Sequence, residues 1–211
     1  MEKGEWKSII LAIIMATALL SFNYNILEFN IFYLLIPIII IAVFIASQKI
    51  TANYIDVAIE IKTWEMKRWW YTTWAELKRA APVGIIFPLL FGFLSGGMIK
   101  MLALLQFNAT ALPSKSTRKY GMRRIGHLME WDESLIGFYG IMGACLLAII
   151  ASFFSSTIFP FGELAKFSLY YSIWNLIPLS KLAGSKIFFG SPQLYTFTLI
   201  LVFLTGMIVL Y

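Results

Sequence analysis

The sequence predicts a polytopic, all-α membrane domain of five to six transmembrane helices, with one re-entrant hairpin and a small membrane-associated β element, forming one unit over residues 1–211. Composition is the first reason. Of the residues, 60% are hydrophobic, 17% aromatic and only 13% charged, where a soluble domain carries about 25% charged residues. The mean hydropathy is +0.79. The second reason is patterning: apolar runs near Ile9–Phe22, Ile31–Ala46, Val83–Phe107, Leu135–Phe154, Leu164–Leu179 and Leu194–Leu210 approach the roughly 20 residues that a spanning helix needs. Third, Val57–Trp64 alternates apolar and polar side chains, the period of a strand with one buried face.

In chain order, Lys3, Lys7 and Ala16-Thr17-Ala18 imitate a secretory signal. Glu2 and Glu5 offset the lysines and the apolar run continues, which predicts an uncleaved first span. Lys and Arg are absent from Asn23–Asn30 and Ser155–Glu163 but fill the two long connections, from Lys49 to Arg79 and from Lys115 to Arg124. The positive-inside rule makes both long connections and the N-terminus cytoplasmic, in a multi-pass protein of the cell membrane. A single crossing at Pro82–Phe107 would put one basic connection outside. Pro82, Pro88, Gly92 and Ser95-Gly96-Gly97 divide that segment into halves of about 12 residues, too short to span, so a hairpin entering and leaving on the cytoplasmic side is expected. The alternative is an ordinary sixth span, and Asn108-Ala109-Thr110, a glycosylation acceptor triplet, reports on which holds.

Trp69, Trp70, Tyr71 and Trp74 beside Lys67 and Arg68 read as an interfacial belt. Arg118, Lys119, Arg123 and Arg124 are interleaved with apolar residues and predict a surface resting on anionic lipid headgroups, in preference to nucleic acid. Gly137, Gly140, Gly143, Ala144 and Ala148 recur at helical spacing, a seam for close helix packing. Cys145 is the lone cysteine, so no intramolecular disulfide forms.

The chain is organised around Trp174–Ile187, where Asn175 and Pro178 fall at membrane depth. Pro178 predicts a kink or break around Trp174-Asn175, with Asn175 partnering the freed carbonyls; the plainer alternative is a helix that ends at Pro178. Asn175, Pro178, Leu182 and Gly184 stand in the order Asn-x-x-Pro-x-x-x-Leu-x-Gly, which resembles the Asn-x-x-Pro-x-x-x-Leu-Asp-Gly signature of the site-2 protease family of intramembrane zinc metalloproteases. The resemblance covers about residues 31–190 in order of elements: helix, strand, small-residue helix, Asn-Pro helix. The short loops fit a prokaryotic member.

That family carries His-Glu-x-x-His in the helix before its sheet, two His and a later Asp holding zinc while the Glu activates water. Aligned on the stretch after Gln48, this chain has Phe44 for the first His, Ile45 for the Glu, Gln48 for the second His and Ala183 for the Asp. The sole histidine, His127, lies in the basic stretch. The reading therefore expects no metal, no cofactor and no catalytic residue. Serine-protease, phosphate-loop and paired-carboxylate patterns are missing as well.

The resemblance then implies a pseudoprotease that keeps the cleft and binds a transmembrane or extended client there without cutting it. The client would add to the exposed edge near Val57–Thr63, with Ile59, Ile61, Asn175, Pro178, Leu182 and Gly184 forming the cleft. Three alternatives stay open: a small transporter or channel lined by Lys100 and Asn175, a structural subunit packing through the glycine face, and residual metalloprotease activity.

Overall fold

A computed structural model describes residues 4–21, 32–68, 76–111, 128–154 and 159–210. These form helices α1 (Glu5–Ser21), α2 (Phe32–Tyr54), α3 (Val83–Leu94), α4 (Glu130–Phe153), α5 (Phe161–Leu176), α6 (Ala183–Gly190) and α7 (Pro192–Leu210), with strands β1 (Val57–Thr63), β2 (Met66–Arg68), β3 (Glu76–Ala81) and β4 (Leu105–Ala111). Among the described residues three helices are long and apolar enough to cross a membrane: α2 from Leu34, α4 and α7. At 17 and 16 residues, α1 and α5 are shorter.

Helix α4 is the hub, with 61% of its apolar window buried against 17% for α7. It packs against α2, α5, α6 and α7. The glycine face explains why it can, because a Cβ on Gly140 would stand 2.7 Å from Gln48 Cγ of α2, and one on Gly137 would stand 3.1 Å from the Ala183 carbonyl oxygen of α6. Bulk at either position would push these neighbours away. Phe203, Leu204 and Met207 of α7 point outward.

The alternation in Val57–Trp64 is a strand, and β1 pairs antiparallel with β4, Val57 opposite Ala111 and Thr63 opposite Leu105. Its partner strand was hidden in the sequence inside the apolar run ending at Phe107. That run is not two matched halves. Instead α3 is followed by a turn with Gly96 and Gly97 at positive φ (61° and 84°) and by an irregular return through the buried Met101–Leu104. Both ends meet at Trp64, whose carbonyl accepts the Gly84 N–H at 2.9 Å and whose N–H donates to the Leu104 carbonyl at 2.9 Å. The chain thus comes back to the level it left. Asn108 sits on β4 opposite Glu60, not in a loop.

The expected break near Trp174-Asn175 falls later. Helix α5 runs to Leu176, and Ile177 is extended (φ −60°, ψ 129°) because the ring of Pro178 disfavours helical backbone in the residue before it. Ser180, with φ 47°, turns the chain into α6. The belt at 69–75 and the basic residues Arg118, Lys119, Arg123 and Arg124, with His127, lie outside the described residues.

Candidate functional site

Phe44, Ile45 and Gln48 lie at i, i+1 and i+4 of α2, one face of the helix, and that face meets the first residue of α6. Phe44, Ile45, Gln48 and Ala183 line one cleft, closed by Ile61 of β1 and by Leu105, Gln106 and Phe107 of β4. Helix α4 does the positioning: Gly143 lies under Ser47, Gly140 under Gln48 and Gly137 under Ala183. Behind the cleft the Phe44 and Tyr171 rings meet edge to face at 5.0 Å.

No water-sized space remains between these side chains. Gln48 and Phe44 are 1% and 2% exposed. The lining is aliphatic and aromatic apart from the amides of Gln48 and Gln106, and the latter accepts the Glu65 N–H at 3.3 Å. Amides and methyl groups neither bind zinc tightly nor take a proton from water. Among the described residues no three His, Cys, Asp or Glu side chains are grouped to hold a metal ion.

The sheet edges beside the cleft hold charged side chains that sequence reasoning missed. Glu5, on the first turn of α1 and 2% exposed, accepts the Ile61 N–H on Oε1 at 3.1 Å, and its Oε2 pairs with Lys49 Nζ at 3.0 Å. The opposite edge is held by Lys186 of α6, which donates to the Phe107 carbonyl at 2.7 Å, pairs with Glu133 at 3.1 Å and lies 3.9 Å from the Phe107 ring centroid. Ile61 and Phe107 are partners across the ladder, so both edges are capped at one level. Burial lowers the Lys186 pKa below 10.5, and the neighbouring Glu133 carboxylate opposes that shift. The edge expected to be free over all of Val57–Thr63 is therefore closed at Ile61. Backbone groups alternate in direction along an antiparallel strand, so Val57 and Ile59 face the same way as Ile61. There Ile59 borders a groove of about 320 Å³ formed with Glu5, Lys49 and Asn108, whereas the Val57 side chain is buried in the core.

The other expected cleft residues separate. Asn175, fully buried, donates from Nδ2 to the Tyr171 carbonyl at 2.9 Å and leaves Oδ1 without a partner. It braces its own helix rather than the cleft. Pro178 is exposed in the α5–α6 turn, and Leu182 is buried with Trp64, Val83, Met101 and Ala103 in a second apolar cluster. Gly184 seats α6 against α5, because a Cβ there would overlap the Leu176 carbonyl. Lys100 lines a surface groove with Trp174, and Asn175 does not reach it. The glycine face of α4 is occupied by α2 and α6, which removes it as a docking seam for another subunit. In the sequence Glu5 is, with Glu2, a charge that offsets Lys3 and Lys7, and nothing local marks it as a strand cap.

Comparison with family models, curated proteins and solved structures finds no match to this chain.

Proposed function

We propose that the chain is a non-catalytic, site-2-protease-like integral membrane protein that holds an extended client segment at the outer edge of β1. One observation carries the reading: the four positions aligned with that family's ligands and base, on α2 and at the start of α6, face one another beside a strand. Gln48 and Ala183 are 135 residues apart in sequence, yet they meet in this cleft. The closed cleft moves the client site outward, to Ile59 and the adjoining groove, where main-chain pairing gives affinity without a metal.

In this reading α1 and α5 cross the membrane together with the three longer helices, and 83–104 is a re-entrant hairpin on the cytoplasmic side. The return of that segment to Trp64 supports the hairpin, and its buried return arm satisfies the condition for irregular backbone at membrane depth.

A second reading, a structural subunit, is favoured by the cleft being filled with its own side chains. A photo-crosslinking residue at Ile59, with Phe203 on the outward face of α7 as control, separates the two. Adducts with a membrane protein from Ile59 support client binding, and adducts from Phe203 alone support the structural subunit. The purified protein is expected to hold less than about one-tenth of a zinc per chain, since a site needs three or four protein ligands.

A further inference from the structure

A cavity of about 460 Å³, within the range of small-molecule sites, lies away from the cleft, between the 98–100 turn and α5. Its chemistry is graded along α5. At the start of the helix are Glu163 and Lys166, 3.5 Å apart, and Lys100 reaches in from the turn, its Nζ 4.7 Å from the centroid of the Phe167 ring. From there Phe167, Tyr170 and Trp174 continue along one face at i, i+3 and i+7. Glu163 to Trp174 spans about 16 Å at 1.5 Å per residue.

Two cations and one carboxylate at one end, then an apolar aromatic strip over the rest, match an amphiphile with an anionic head and a long tail. Met98 on the rim is 87% exposed, and Phe93 and Leu94, just before the turn, are 79% and 74% exposed, apolar side chains of the kind that lipid would cover. In the proposed topology the tip of the hairpin meets the external end of α5, which sets Lys100 and Lys166 toward the external headgroups, where basic side chains attract anionic lipid and aromatic rings favour the region just below.

We infer that this groove binds one anionic glycerophospholipid, its phosphate between Lys100 and Lys166 and an acyl chain along Phe167, Tyr170 and Trp174. The site is separate from the edge of β1 and does not depend on the client reading. Glu163 opposes the phosphate and sets the affinity below what two lysines alone would give.

The test is native mass spectrometry of the full chain released from nanodiscs of phosphatidylcholine mixed with phosphatidylglycerol, counting lipid retained per chain. One phosphatidylglycerol is expected to be retained in preference to phosphatidylcholine. Lys100→Gln and Lys166→Gln should each lower that preference about fivefold, the loss that one basic residue at a lipid surface carries, and Glu163→Gln should raise it. Variants are compared only where their melting profile matches the parent, and Lys7→Gln serves as a charge control. Equal retention of both lipids, unchanged retention in the Lys100→Gln/Lys166→Gln protein, or a fall in Glu163→Gln would overturn the site. Displacement of the lipid by free glycerol phosphate would overturn it too, by making soluble phosphate the ligand.

Discussion

The Glu5 carboxylate of α1 accepts the backbone N–H of Ile61 at 3.1 Å across 56 residues of sequence. An unpaired strand edge invites another chain, and a buried acid that takes one of its donors blunts that edge at one point. Glu5→Ala would leave the Ile61 N–H and the Lys49 ammonium without that partner, at a cost of about 1–3 kcal/mol. Glu5→Gln keeps an acceptor for Ile61 and should lose less. Unfolding in detergent reads the stability, and amide hydrogen exchange at Ile61 should quicken in Glu5→Ala. A parent-like melt with Ile61 still protected would show that the contact holds nothing.

The glycines of α4 and α6 make different demands. A methyl at Gly140 meets the side chain of Gln48, whereas one at Gly184 overlaps the Leu176 carbonyl, which is backbone. Gly140→Ala should destabilise by about 1 kcal/mol and be relieved by Gln48→Ala, while Gly184→Ala should cost at least about 3 kcal/mol with no side-chain rescue. Equal losses for the two, or failure of Gln48→Ala to relieve Gly140→Ala, would contradict the packing described.

Much of this architecture was legible because membrane helices advertise themselves by length and apolarity, and β1 by strict alternation. What stayed hidden follows from the same physics. Strand β4 is Leu105–Ala111, and its Leu-Gln-Phe start continues an apolar run, so burial on both faces erased the period of two. Helix α6, eight residues long, is below the length at which periodicity reads. The alignment of Phe44, Ile45, Gln48 and Ala183 rests on a motif, and their sharing one cleft is a property of the fold that no local pattern encodes. Local sequence also cannot say that Glu5 and Lys186 serve strands 56 and 79 residues away.

Lys186 gives a pH signature. Burial holds its pKa below 10.5 in the folded chain. Between that lowered value and 10.5 the unfolded chain binds more protons than the folded one, so this group makes stability rise with pH and lose that gain as pH falls through the lowered value. Unfolding in detergent across about pH 8 to 11 should show a steeper rise for the parent than for Lys186→Met. Parallel curves would mean that the lysine is solvated as in the unfolded chain.

We propose that a zinc-protease frame persists here with its ligands replaced. The most direct measurement is the zinc content of protein carrying Phe44→His, Ile45→Glu, Gln48→His and Ala183→Asp, expressed with zinc and compared with the parent and with the same protein lacking only Ala183→Asp. If the frame is that of the family, the four substitutions should bring about one tightly held zinc per chain, as two imidazoles and a carboxylate leave a fourth position for water, and omitting Ala183→Asp should weaken it. A folded four-substitution protein that takes up no more zinc than the parent would contradict the kinship.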